Sequence, residues 1–437
     1  MKIKKLGLSN FRRFKALDVE LHDELTVIVA KNGRGKTSIL DAGAIALGTF
    51  VSGFEFGIAR GIEQSDVRKQ WIDELSLQET IYPASIAATF SPPFHNKISI
   101  LRQLMGPKSR TTVKDAASLA GYAKGLQILD EIAVMFPVVA YYGTGRLWNV
   151  HKNMSRKSVI GESRSMGYED CLSAGSSYKQ LQQWMAKATQ AVLQQDQKPE
   201  SYKNSNLRDQ VQGIEQAVND MLENEQWDHF HYSLTHEELV MSHYEHGLLP
   251  VSLLSDGVRA VVSLVADLAW RCVKLNPHFG QDAPRKTSGI VFIDEVDMHL
   301  HPAWQQKIIS GLRTTFPNVQ FIVTTHSPQV LSTVSKENIR IIGENIAAEL
   351  VAAEPRAESY GRSNADVLQG VMHVDPMPTM PETEELDHYR QLVEQGDLNS
   401  QSSEIDELKD KLSKTLGADH PELVRIAMVM RRRKALG

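Results

Sequence analysis

The sequence predicts an α/β fold built around one open sheet, and three observations lead to that class. The β-prone run Leu25–Val29 passes through a glycine-broken loop straight into a helical pattern. Two later apolar runs, which start at Gly289 and Phe321, end in polar residues, as strands do where an open α/β sheet binds its ligand. Stretches with helical periodicity lie between these runs. This order of strand, loop, helix and further strands indicates one such sheet.

Composition describes an ordinary globular protein and excludes several other classes. The 437 residues, 42% hydrophobic and 23% charged, can bury a full core in one large domain or in two to three units. A formal net charge of -5 gives no general case for nucleic-acid binding and leaves only a local patch for it. Two distant cysteines indicate neither a disulfide framework nor a cysteine zinc site. With no secretion signal and no run near the roughly 20 apolar residues of a membrane span, we expect a cytoplasmic protein that does not meet the membrane.

The loop AKNGRGKT predicts phosphate binding. Gly33 and Gly35 admit positive φ, so backbone N–H groups can curl around a phosphate at the start of the following helix. Lys36, taken as a surface lysine, would supply a point charge to the β- and γ-phosphates, and Thr37 a hydroxyl ligand to Mg²⁺. Ala30 replaces the first glycine of GxxxxGK[ST]. The residues predicted to bind ATP are Asn32, Gly33, Gly35, Lys36, Thr37 and Ser38.

Acidic residues and a histidine follow the two later apolar strands. Asp294 and Glu295 come directly after GIVFI, where Asp294 would hold Mg²⁺ and Glu295 would orient or deprotonate the attacking water. His326 follows the strand that begins at Phe321 and would hydrogen-bond the γ-phosphate in either protonation state. An ordinary buried histidine is the alternative. Glu295 and His326 are the predicted catalytic residues.

Two further segments are expected near the nucleotide. In LSDGVRA, Ser255 or Asp256 would cap the following helix, and Gly257 would let a phosphate approach its first turn. An ordinary capped helix is the alternative. The N-terminal hairpin predicted over residues 2–21 would bring Arg12 and Arg13 to the nucleotide.

The chain divides by pattern into four predicted parts. We predict the loop-bearing half of a head over 1–148, a loop and helical insertion over 149–228, the second half over 229–352 and a helical tail over 353–437. Within them we expect strands at 85–90 and 97–104 and a helix over 66–77. The histidine-rich segment 229–246 favours strands over a metal site. In the tail, the stripe from Ile405 to Leu416 and the run Arg431–Lys434 form either an assembly or docking element or a solvated face.

Taken together, these motifs resemble an ABC-type ATPase head of the RecF, SMC and OLD kind. KNGRGKT is similar to Walker A, LSDGVRA to the signature motif, VFIDEVD to Walker B with its glutamate, and TTHSP to the switch histidine. The resemblance implies a head-to-head dimer in which Ser255 and Gly257 act on the ATP of the other subunit. FRRF resembles the arginine-bearing N-terminal strand of such heads. Arg146 falls where the lobe-linking Q-loop would lie, although no glutamine occurs there.

Longer phrases, among them YYGTGRLW, IDEVDMHLHPAWQ and SYGRSNADVLQGVM, resemble the PtuA-type ATPases of bacterial Septu and retron-linked phage defence. That resemblance implies an HNH nuclease (PtuB-like) as partner and contact with DNA through the complex. The sequence encodes no long heptad arm between Lys36 and Ser255 and no DxD pair after His326, so we expect a regulatory ATPase rather than a complete nuclease. A RecF-like DNA-binding repair ATPase without a nuclease partner, and an assembly scaffold with negligible hydrolysis, remain the alternatives.

Overall fold

The computed structural model describes residues 1–72, 77–91, 97–129, 134–145, 163–175, 178–197, 206–377, 380–396 and 401–436. They form two compact units, Met1–Val374 and Asp375–Gly437. The strands of the first unit are β1 Lys2–Phe11, β2 Phe14–Glu20, β3 Leu25–Val29, β4 Lys69–Ile72, β5 Leu77–Thr80, β6 Ala84–Ser91, β7 Ile98–Leu104, β8 Val138–Tyr142, β9 Trp227–Ser233, β10 Glu238–His243, β11 Gly247–Pro250, β12 Gly289–Ile293, β13 Val319–Thr324, β14 Ile339–Glu344 and β15 Leu350–Ala353.

The described residues of the first unit also form α-helices. They are α1 Lys36–Val51, α2 Ala117–Ile128, α3 Tyr178–Gln197, α4 Leu207–Leu222, α5 Asp256–Leu275, α6 Ala283–Lys286, α7 Pro302–Gln305, α8 Ile308–Thr315, α9 Pro328–Leu331 and α10 Asn364–Gly370. The second unit holds α11 Thr383–Gln395, α12 Ser402–Leu416 and α13 Pro421–Leu436.

A six-stranded sheet in the order β15-β14-β3-β13-β12-β8 positions the site. Its strands pair in parallel, except that β15 runs antiparallel to β14. All residues of β3, β8, β12 and β13 are buried, which is the pattern expected of parallel strands covered on both faces. The segments after β3, β12 and β13 therefore meet at one edge. The predicted α/β class is confirmed.

A second, antiparallel sheet in the order β2-β1-β6-β7 forms the N-terminal part of the unit and includes the predicted hairpin. The buried side chain of Gln320 ties this sheet to β13. Its amide donates to the carbonyl of Ile3 and accepts from the Ile3 N–H, both at 2.8 Å. Because these bonds are shielded from water, they fix the two sheets relative to each other.

The helix predicted over residues 66–77 is wrong, because β4 and β5 pair there as an antiparallel ribbon. Backbone bonds from Arg12 N to Asp66 O at 2.6 Å and from Arg68 N to Asn10 O at 2.9 Å hold the entry of this segment extended against the N-terminal hairpin. Tertiary pairing of this kind overrides a weak local helix pattern.

The helical segment and the histidine-rich strands form as predicted, with α3 and α4 followed by the sheet β11-β10-β9. In the described residues, no group of three or more histidine, cysteine, aspartate or glutamate side chains is placed to share a metal ion. The loop that begins the predicted 149–228 insertion lies partly outside the described residues. Of the rest, Tyr168, Cys171 and Leu172 are buried in the core.

The second unit has its own core, made by Leu386, Tyr389, Leu392, Val393, Ile405, Leu412, Leu423 and Ile426. Ile405 and Leu412 are 2% and 0% exposed, so the apolar stripe of α12 closes this helical unit instead of offering a docking face. The first unit extends beyond residue 352, where the sequence placed a boundary, because Val367 and Val371 belong to its core. Among the described residues, no helix has the length and apolar character to span a membrane.

Candidate nucleotide site

The loop after β3 leads into α1 through two glycines in the left-handed region. Gly33 has φ 72° and Gly35, the N-cap of α1, has φ 92°. A Cβ on Gly35 would lie 2.6 Å from the Phe14 ring, so only glycine fits this turn without a shift. Since the first N–H groups of a helix have no intrahelical acceptor, the start of α1 offers donors and a positive dipole end to an anion. Asn32 is exposed on this loop and Ser38 is buried in the first turn.

Lys36 is buried, with 7% of its surface exposed, and the expectation of a surface lysine is wrong. Its Nζ donates to the carbonyl of Ala30 at 3.1 Å. Burial lowers the pKa of Lys36, while the charges of Asp294, Glu295 and Asp297 oppose that shift. The ammonium is therefore partly desolvated, and a negatively charged ligand would interact with it more strongly than with an exposed lysine.

Asp294 lies directly behind the loop and is 1% exposed. Thr37 Oγ1 donates to its Oδ2 at 2.7 Å, which brings together the two residues predicted to hold Mg²⁺. Thr324 Oγ1 donates to the other carboxylate oxygen at 2.5 Å. Sequence reasoning missed Thr324, although a hydroxyl directly after the apolar run Phe321–Val323 was a visible signal.

Glu295 follows with φ 47°, a backbone conformation that is uncommon for a residue with a side chain. Its N–H donates to Thr324 Oγ1 at 2.7 Å, and Val296 N donates to the Thr324 carbonyl at 3.0 Å. The left-handed turn directs Glu295 away from the path of β12, and the neighbouring strand holds it in that turn. Backbone strain of this type concentrates at functional sites.

His326 comes two residues after the end of β13 and is half-buried. Burial lowers its pKa below the ordinary 6.5, and the Lys36 charge lowers it further, against the opposing effect of Glu295, Asp297 and Asp294. The imidazole is therefore neutral at pH 7. It lines a cavity of about 760 Å³ together with Asn32, Arg34 and the ends of β14 and β15.

The segments around Asp294 and His326 are linked by a second threonine. Thr325 Oγ1 donates to Asp297 Oδ1 at 2.5 Å and accepts from Ser327 N at 2.9 Å. Ser327 in turn accepts from Gln329 N and Val330 N as the cap of α9. The start of the histidine segment is thereby fixed to the turn after β12.

The two N-terminal arginines occupy different environments. Arg12 Nη1 donates to Asp41 Oδ2 at 2.5 Å and Arg12 Nε to Asp66 Oδ1 at 2.8 Å, and these two carboxylates raise its pKa against the desolvation that is the largest single effect. Arg12 also reaches Ser38 Oγ at 3.5 Å. Its guanidinium thus secures α1 to the hairpin. Arg13 instead donates to the carbonyl of Gly33, on the loop itself.

Ser255 and Gly257 lie at the start of α5. Ser255 is the N-cap residue, but its side chain makes no capping hydrogen bond, and it is exposed. A Cβ on Gly257 would lie 2.6 Å from the carbonyl oxygen of His299. The structure thus brings together the loop, Asp294, Glu295 and His326 and sets Ser255 and Gly257 at a separate helix terminus. Arg146 lies outside the described residues.

Comparison with known proteins identifies relatives of this chain. The "Retron Vc95 probable ATPase" of Vibrio cholerae serotype O1 biovar El Tor is 25% identical over 91% of this chain and 84% of its own length. The "Retron Ec83 probable ATPase" of Escherichia coli is 37% identical over 42% of this chain and 33% of its own length. The "Septu protein PtuA" of Bacillus mycoides (strain KBAB4) is 36% identical over 37% of this chain and 22% of its own length. This chain thus covers a third or less of the last two relatives.

Among solved structures, an SMC head bound to the C-winged helix domain of ScpA superposes with a TM-score of 0.49 and 15% identity, covering 81% of this chain and 98% of that chain. A family model described as "AAA domain" matches residues 5–226, over half of the chain, and a second AAA-domain model matches residues 192–332. The chain therefore belongs to the AAA-domain family and is an ATPase.

Proposed function

We propose that this chain is a Mg-ATP-dependent, self-associating ATPase that controls a partner HNH nuclease in bacterial anti-phage defence. The proposal of ATPase activity rests on the hydrogen bond between Thr37 and Asp294. Glu295 and Lys36 lie next to these two residues in the chain, and the charges of Asp294 and Glu295 act on Lys36. The hydrogen bond joins the start of α1 to the end of β12, at the edge of the sheet where ligands bind in open α/β folds.

The loop fits a triphosphate in three respects. Left-handed Gly33 and Gly35 leave the backbone accessible, the start of α1 offers N–H donors, and Lys36 offers a charge. Asn32 and Ser38 flank this cradle. Arg13 already contacts the loop, so it is the better placed of the two arginines to meet the nucleotide, while Arg12 acts by fixing α1.

The residues at the predicted metal position fit Mg²⁺, because a hydroxyl and a carboxylate are hard oxygen donors of the kind this ion prefers. Thr37 Oγ1 and Asp294 Oδ2 lie 2.7 Å apart and would turn from each other to the ion. When bound there, the ion would neutralise charge on the β- and γ-phosphates.

For hydrolysis, Glu295 would accept the proton of the attacking water, and the products are ADP and inorganic phosphate. His326, neutral at pH 7, would donate one N–H to the γ-phosphate without adding charge. Lys36 would stabilise the negative charge that leaves with ADP.

Self-association would complete the site. Ser255 and Gly257 do not join the loop within one chain, which agrees with their acting on the nucleotide of a second copy. At the exposed start of α5, where Ser255 makes no side-chain capping bond, the first N–H groups of the helix would be the donors for that purpose.

Control of a nuclease is supported by the relatives, which are named as retron ATPases and a Septu protein. A nuclease in a cell rich in ATP must be quiet by default, so we expect the ATP-bound heads to restrain it. DNA would be contacted through the complex, in the bacterial cytoplasm.

The test uses purified complexes of this chain with an HNH nuclease of the proposed PtuB-like kind. Plasmid degradation is followed with and without Mg-ATP for the wild type, for Glu295→Gln, and for Glu337→Gln as a control at an exposed glutamate. We expect Glu295→Gln to stay restrained after the wild type and the control have consumed their ATP. Degradation indifferent to both ATP and Glu295→Gln would contradict gating and favour the assembly scaffold.

A further inference from the structure

Thr324, the last residue of β13, places one hydroxyl between two acidic residues of the neighbouring strand end. Its Oγ1 donates to Asp294 Oδ1 at 2.5 Å and accepts the N–H of Glu295 at 2.7 Å. A hydroxyl has one proton to donate and lone pairs to accept, so both bonds form at once. The same atom thus orients the carboxylate of one acid and the backbone of the next.

Burial makes this arrangement hard to replace. Thr324 is 0% exposed and Asp294 1%, and every residue of β13 is buried. Water cannot readily substitute for a lost hydroxyl in such a position, so its partners would be left with unmet hydrogen bonds. The geometry is therefore fixed by Thr324 before any ligand arrives.

The Thr324 hydroxyl also holds the strained backbone of Glu295. Glu295 holds φ 47°, and conformations of this kind persist only where the surroundings hold them. Two bonds to Thr324, from Glu295 N to the side chain and from Val296 N to the carbonyl, bracket the strained residue. Without the side-chain bond, the turn is free to relax and Glu295 to move away from its position beside Asp294.

We propose that Thr324 is a positioning residue that sets Asp294 for metal binding and Glu295 for proton transfer through one shared hydroxyl. The inference rests on the proposed ATPase function. It also explains how the histidine segment is coupled to the acids: His326 follows Thr324 by two residues, so a movement of this segment on nucleotide binding would shift Asp294 and Glu295 together.

The decisive variant is Thr324→Val, which keeps the shape of the side chain and removes the hydroxyl. We expect ATP affinity measured without Mg²⁺ to stay within about 3-fold of wild type, kcat to fall about 10- to 100-fold, and the Mg²⁺ concentration for half-maximal activity to rise. KM for ATP should change far less than kcat. Thr324→Ser restores the hydroxyl and should recover most of kcat.

Thr49→Val is the matched control. Thr49 is a buried threonine of α1 whose hydroxyl has no hydrogen-bond partner among the described residues. It should leave kcat and the Mg²⁺ requirement unchanged. Should Thr324→Val not fold, Thr324→Ala against Thr324→Ser makes the same comparison.

Three results would decide against the inference. If Thr324→Val turns over ATP like the wild type, the hydroxyl positions nothing. If Thr324→Ser is as impaired as Thr324→Val, a packing effect and not the hydroxyl is responsible. A wild-type protein that neither binds nor hydrolyses ATP would instead remove the proposed function, and this inference with it.

Discussion

Replacing Lys36 by methionine separates ligand binding from fold stability at the centre of the site. Lys36 is buried, and burial lowers its pKa, so the folded state holds this proton less tightly than the unfolded chain does. While the side chain is charged, this difference costs the folded state free energy. Methionine keeps the length of the side chain and removes the charge. We therefore expect the melting temperature of Lys36→Met without ligand to equal or exceed that of the wild type.

ATP binding should move in the opposite direction. A unit charge pair about 4 Å apart is worth about 4 kcal/mol at an effective dielectric constant of about 20, and each 1.4 kcal/mol is about tenfold in Kd. The lysine must leave the Ala30 carbonyl and the pull of three carboxylates, so the net effect is smaller. We expect Kd for ATP to rise roughly 30- to 500-fold.

The assay is calorimetric titration with ATP, together with thermal unfolding with and without Mg-ATP. The wild type should gain stability with ligand, whereas Lys36→Met should gain almost none. Lys15→Met, at an exposed lysine of β2, is the control and should behave as the wild type. Affinity within about 3-fold of the wild type would refute the assigned role of Lys36. A marked drop in the melting temperature without ligand would refute the desolvation argument.

Three further predictions follow from the geometry. Ser255→Asp introduces another residue type that is common at helix N-caps, so ATP binding should be retained. ATP-stabilised dimers should be lost in sedimentation, because the carboxylate would face phosphate. Ser255→Asn is the neutral control, and normal dimers for Ser255→Asp would exclude action on the partner's nucleotide. The lowered pKa of His326 means that the folded chain gives up this proton more easily than the unfolded chain does. As the pH drops through 6.5 without ligand, the melting temperature of the wild type should therefore fall more than that of His326→Gln. Equal falls would contradict a buried neutral imidazole. Deleting residues 375–437 should leave a first unit that binds ATP and is monodisperse in gel filtration. Deleting only residues 400–437 should cause aggregation, because it exposes Leu386 and Val393 of the second unit's core. A monodisperse 400–437 deletion would show that α11 does not need α12 and α13 to cover its apolar side chains.

The strands of the site could be predicted because burial on both faces of a parallel sheet leaves continuous apolar runs. GIVFI and the run before the phosphate loop have that pattern. The glycines, Lys36 and Thr37 follow one of these strands, and Asp294 and Glu295 follow the other, so residue type alone indicated phosphate and metal binding. Order along the chain was enough to place these groups at one edge.

Features that depend on contacts distant in sequence could not be read in this way. The sequence predicts a surface position for Lys36, but the folded chain buries it close to the distant carboxylates Asp294, Glu295 and Asp297. The ribbon of β4 and β5 exists because the hairpin holds its entry extended. The Ile405–Leu416 stripe indicates that one face of α12 is covered, but it does not indicate which segment covers it. In the structure, α11 and α13 cover this face. The double role of Thr324 depends on the register of β13 against β12.

Phosphate release by Glu295→Gln shows whether this site hydrolyses ATP or only binds it. Glutamine keeps the shape of Glu295 and removes the carboxylate that accepts the proton, while the backbone bond to Thr324 is unaffected. Steady-state release of inorganic phosphate should fall by about 100-fold or more, within the range typical of a lost general base, while the Kd for ATP stays near the wild-type value. A variant that binds ATP normally and releases phosphate at the wild-type rate would contradict the assignment of this site as the catalytic centre.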